Sequence, residues 1–218
     1  MILNKISGVI LLGFGIVALL PLELLKKNRR VYLFLLPGTM LLLKSITSWK
    51  ASGYLPEQLI EHSTQIALPF LLVYVLRHHA LTKNKLYFIL ASIIGLTFIG
   101  HATYALGVHH VPNNFIEMTM RSLPWMDKQA ALQFLFVIGL LDVLFTILAF
   151  IPGIRRIAIW YLIIWGFITA LARTYYVLDE GVTVDLFLIN VPNTVYRLPH
   201  GILPMAMLLL SRNLKHRT

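Results

Sequence analysis

Leu86-Tyr-Phe-Ile-Leu-Ala-Ser-Ile-Ile-Gly-Leu-Thr-Phe-Ile-Gly-His-Ala-Thr-Tyr-Ala-Leu106 decides how the rest of the chain is read. It carries no Asp, Glu, Lys or Arg. Wound as a helix at 1.5 Å per residue it reaches about 30 Å, the thickness of a bilayer's hydrocarbon. Its apolar residues run continuously rather than alternating, which favours a helix over a barrel strand as the way to satisfy the backbone in lipid. His101 lies five residues from its end, with His109 and His110 just beyond, so a polar site is expected at that end.

The composition points the same way. Apolar residues make up 58% of the 218 and charged residues 13%, too little charge to solvate the surface of a soluble domain. Mean hydropathy is +0.76. The absence of cysteine excludes disulfides, thiolate metal sites and a CxxC redox relay.

Outward from 86–106, similar apolar runs predict an all-α, polytopic membrane helix bundle of seven transmembrane helices in one domain, 1–218. The expected spans are about 6–25, 31–49, 59–76, 86–106, 130–151, 157–178 and 194–211, with outer loops 107–129 and 179–193. The first run is followed at once by basic residues and has no small-residue cleavage site, so it is read as a retained helix, not a signal peptide. Within 107–129, Phe115, Met118, Ser122 and Met126 share one helical face, which suggests a short helix lying in the interface. The final apolar run, 198–210, is short, so its span either begins near Asn193 or is re-entrant.

The net charge of +10 sorts by membrane side, which excludes nucleic acid as its explanation. Lys26, Lys27, Arg29, Arg30, Arg77, Lys83, Lys85, Arg155, Arg156, Arg212, Lys215 and Arg217 fall in the inner segments, twelve of the 19 Lys and Arg. Lys5, Lys50, Arg121, Lys128 and Arg197 fall outside, and Lys44 and Arg173 within spans. By the positive-inside rule the chain is N-out and C-in, in a bacterial-type cytoplasmic membrane.

With that orientation Lys44, His101 and Arg173 are each about 8 Å from the outer end of a span. Glu61, His62 and His200 lie nearer still to that surface, and Tyr104 and Tyr176 join them. Ionisable groups inside spans are costly and commonly line a functional cavity. The expected site is therefore an outer-half pocket of Lys44, Glu61, His62, His101, Tyr104, Arg173, Tyr176 and His200. A plainer reading stands beside it: Lys44 and Arg173 snorkel to the headgroups, Glu61 caps a helix, and tyrosines at span ends anchor in the interface.

Three functional classes fit these residues. The pocket binds, or performs redox or acid–base chemistry on, a small lipid-soluble ligand such as a quinone. Alternatively, Asp142, the carboxylate nearest mid-membrane, joins the outer His and Glu groups in the proton relay of a proton-coupled transporter. In the third reading His62, His101 and His200 hold a transition metal or haem, with Glu61 or Glu117 as a carboxylate donor. Asp142 itself is expected to pack between helices, apart from the outer pocket and bonded to Thr146 one turn on. The bilayer is the expected surrounding, and a second copy or the subunits of a membrane complex are the expected protein partners.

Ile138-Gly-Leu-Leu-Asp-Val-Leu144, followed by Ile151-Pro-Gly-Ile-Arg-Arg-Ile-Ala158, resembles the DoxX-type family of small bacterial membrane proteins. In that family a Gly-Leu-Leu-acidic stretch precedes a short Pro or Gly loop with basic residues and a further apolar helix. The resemblance covers about two of the seven expected spans and aligns Asp142 with the family's acidic position. It implies a helical membrane unit, and for some members a link to quinone-coupled sulfur oxidation.

Overall fold

The computed structural model describes residues 29–77, 81–178 and 184–212, with side chains described over 31–77, 81–175 and 191–211. The expected first span, 6–25, and the basic residues Lys215 and Arg217 lie outside these. All regular structure among the described residues is helical, and the chain divides into two compact units, Met1–Thr82 and Lys83–Thr218.

The first unit opens with a 3-10 turn, Arg29–Phe34, that passes into α1, Leu35–Ala51. Pro37 lies in the first turn of α1, where its missing N–H costs no helical bond. A short helix α2, Pro56–Ile60, precedes α3, Ser63–Arg77. The expected span 59–76 falls within the stretch Pro56–Arg77, which carries a turn at Glu61-His62 between the two helices. Val31, Phe34, Val73 and Leu76 form the unit's buried cluster. α1 and α3 approach closely at Gly38, where an added Cβ would meet the Phe70 ring at 2.8 Å.

The second unit contains α4, Lys83–Ala105; α5, Asn113–Ser122; and α6, Lys128–Leu148. After these come α7, Arg155–Leu178; α8, Val184–Arg197; and α9, Pro199–Arg212. Its helix ends follow from local chemistry. Gly107 adopts φ +69° just after α4, the left-handed conformation that glycine supplies at a helix C-terminus, and Val108 N–H then bonds Thr103 O at 3.1 Å. Asp127 caps α6 by accepting from Ala130 N at 2.8 Å.

Packing is set by small residues. α4 runs against α6 with Gly95 beside Thr146 and Gly139 beside Ala102 and Leu106. α7 runs against α9 with Gly166 beside the backbone of His200 and Gly201. Lipid supplies no hydrophobic drive between helices, so close backbone approach at such residues is what holds membrane helices together.

The opposite faces remain apolar. On α6, Ala131, Leu135, Gly139, Asp142 and Thr146 are buried at helical spacing, while Phe136, Leu140, Leu144 and Ile147 are exposed. On α7, Ile157, Trp160, Ile164, Ile168 and Leu171 form an equally continuous exposed apolar stripe. Helices that are apolar on the outside and carry their polar groups inside suit hydrocarbon surroundings. Among the described residues five helical stretches are long and apolar enough to cross a membrane: Val31–Ala51, Pro56–Arg77, Lys83–Ala105, Lys128–Leu148 and Arg155–Tyr175. The chain is a polytopic membrane protein.

Two expectations change. Residues 184–193, expected as outer loop, are helical. The expected span 194–211 is not one helix: α8 ends at Arg197 and α9 begins at Pro199. Proline lacks the N–H that would continue the ladder and disfavours helical backbone at the residue before it, so the chain turns at Leu198. Both helices lie against α7.

Candidate functional site

A cavity of about 520 Å³ lies inside the second unit. Most of its wall is apolar, supplied by α5 (Phe115, Met118), α6 (Phe134, Leu135, Ile138) and α7 (Trp165, Ile168, Ala172). Ile168, Leu171 and Tyr175 border it and are also exposed on the lateral apolar stripe of α7. The cavity therefore meets the face that suits lipid.

Several polar side chains border the cavity. His101 from α4, Arg173 from α7 and Arg197 from the end of α8 are among them. Arg197 donates to His101 Nε2 at 2.6 Å. A guanidinium only donates, so Nε2 is the acceptor and His101 carries its proton on Nδ1, an assignment made from this bond. His200, 3% exposed at the start of α9, meets the His101 ring edge-on with centroids 5.2 Å apart. The backbone contact at Gly166 fixes where α9 begins, and so fixes His200. Tyr104 is buried and packs on Phe115 at 5.9 Å, supporting the ring that lines the cavity.

Asp142 from α6 is another. It is 2% exposed, lies in the cavity wall beside Trp165, and accepts from the Tyr161 hydroxyl at 2.7 Å. The sequence reading set Asp142 apart from the pocket and gave it Thr146 as partner. The structure differs on both points. Burial puts Asp142 on the inward face of α6, the face that borders the cavity, and Tyr161 reaches it across the α6–α7 contact while stacked on Phe145 at 4.2 Å. Thr146 Oγ1 has no hydrogen-bond partner among the described residues.

Glu61 and His62 belong to the first unit. At the break between α2 and α3 Gln58 Nε2 lies 3.0 Å from Glu61 Oε1 and 3.3 Å from His62 Nε2, and the carboxylate is 3.4 Å from the imidazole. Glu61 closes α2, its N–H bonding Glu57 O at 2.9 Å. Lys44 is exposed on α1. Tyr176 lies in α7, with its side chain outside the described residues.

The site thus brings His101, His200 and Arg173 together and adds Arg197, which the sequence reading counted among the outer basic residues and left out of the pocket. The signal that places it is Pro199: ending one helix and starting another there carries the end of α8 to the level of His101. Among the described residues no group of three or more His, Cys, Asp or Glu side chains is arranged to hold a metal ion.

Comparison with protein-family models, with curated proteins and with solved structures finds no match to this chain. The resemblance to DoxX-type proteins finds no support there.

Proposed function

We propose that this membrane protein binds a small lipid-soluble ligand in the cavity of its second unit, with a hydrogen-bond-accepting head group, such as a quinone carbonyl, at the His101–Arg197 end. The observation that carries this reading is the cavity itself. It is within the size range of small-molecule sites, lined by aromatic and aliphatic side chains with a few converging polar groups. The guanidinium groups there supply only donors, which selects for an acceptor on the ligand. The edge-to-face His101–His200 pair offers two titratable rings beside that head, the equipment for taking up or releasing a proton.

The charge distribution supports an N-out, C-in arrangement, which puts the His101 end of the cavity toward the outer face. A bacterial-type cytoplasmic membrane is the setting that this bias suits.

The test is equilibrium binding of a tritium-labelled short-chain benzoquinone to the detergent-solubilised full chain. The reading predicts saturable binding, weakened roughly tenfold or more by His101→Ala and by Arg197→Ala, the loss expected for a hydrogen bond to a charged donor. Binding that ignores both substitutions would contradict it.

A further inference from the structure

The wall of the cavity differs from side to side. Where α4, α5 and α6 form it, Ala105, Thr119, Leu135 and Asp142 are buried. Where α7 forms it, Ile168, Leu171 and Tyr175 are 48%, 55% and 55% exposed. Their spacing puts all three on one face of the helix, in line with Trp160 and Ile164 of the exposed apolar stripe. α6 and α7 are tied together at Tyr161, which donates to Asp142 and stacks on Phe145. From that tie the lining runs on to Phe134 of α6 and Tyr175 of α7, so the cavity occupies the space between these helices and opens beside the α7 stripe.

We propose that the ligand is a long-chain amphiphile whose head is held inside the cavity while its tail leaves between Ile168, Leu171 and Tyr175 and extends into the surrounding hydrocarbon. This rests on the reading of the cavity as a ligand site, and narrows the ligand class to molecules with one polar head and one long apolar tail, prenyl or acyl. Lipid chains are as apolar as the cavity wall, so a tail gains little by exchanging one for the other. Confining a flexible tail inside the protein would also cost conformational freedom that the bilayer does not demand. A compact ligand needs no gap in the wall once it is bound, whereas a tail longer than the cavity requires one. The gap lies on the face of α7 that suits lipid.

The experiment is competition against the tritium-labelled short-chain benzoquinone on the full chain in lipid nanodiscs, with competitor concentrations expressed per lipid after their partitioning has been measured. The competitors are the unlabelled short-chain compound and a decaprenyl benzoquinone, whose tail is too large for the cavity to enclose. The decaprenyl compound is expected to compete as well, per lipid, as the short-chain one. Leu171→Trp narrows the opening and should weaken the decaprenyl compound, relative to the short-chain one, roughly tenfold, as overfilling a packed site does. Ile164→Trp, on the same stripe but outside the lining, should leave the ratio of the two unchanged. Ile168→Trp repeats the test at a second point of the opening if thermal unfolding shows that Leu171→Trp folds poorly. Rejection of the decaprenyl tail by the native chain, or a ratio at the opening variants no different from that of Ile164→Trp, overturns the exit at α7 and leaves the cavity reading standing. Failure of the native chain to bind the labelled benzoquinone overturns both.

Discussion

At Asp142 side-chain hydrogen bonds from Tyr161 and Trp165 join α6 to α7. Tyr161 donates to its carboxyl at 2.7 Å, and Asp142 is 2% exposed. Tyr161→Phe should therefore destabilise the protein by about 1–2 kcal/mol, and Asp142→Leu by a similar amount through the hydroxyl left without an acceptor. The double variant should cost less than the sum, and a denaturation double-mutant cycle measures the difference. Full additivity would mean that the two groups do not interact. His101 and Arg197 form a second pair suited to the same cycle, read in ligand affinity rather than in stability. Which groups are polar and set within apolar helices was legible from the sequence; which of them touch was not. His101 and His200 are far apart in the chain yet adjacent in space, and their proximity depends on the close contact of α7 with α9. Asp142 was misplaced because counting residues along one helix gives depth but not the direction in which a side chain points.

At the scale of elements, glycines hold the helices at the distances the site needs. A Cβ built on Gly166 would lie 2.6 Å from the His200 carbonyl carbon, and backbone does not yield as a side chain does. Gly166→Ala should force α9 outward, cost about 2 kcal/mol or more and separate His200 from His101. Gly153→Ala, where nothing lies within 4 Å, should be neutral and serves as the control. Thermal unfolding of the two variants distinguishes them, and equal midpoints would remove Gly166 as the determinant of the α7–α9 contact. Helix existence was readable wherever an apolar run was long, as in α4, α6 and α7. The boundary at Leu198 was not read although Pro199 carried the signal, because the apolar run 198–210 was assigned to a single span by hydropathy. The helix α5 was legible from its one-sided pattern, and the structure adds that it borders the cavity.

For the whole molecule, charge bias remains the basis for orientation. Reporter fusions at Asn84 and after the last residue should both read cytoplasmic, as inner positions of an odd number of spans. Opposite readings would change the parity and place the His101 end of the cavity differently from the proposal. The central claim, that the second unit holds a lipid-soluble molecule inside its cavity, is tested most directly by filling that cavity. Ala172 lines it from α7, so Ala172→Phe puts a ring into the ligand's space without touching a polar group. Binding of the labelled benzoquinone, measured beside thermal unfolding on the same preparations, is predicted to be saturable in the native chain and lost in a stably folded Ala172→Phe variant. Undiminished binding in that variant would show that the ligand lies elsewhere and would contradict the account.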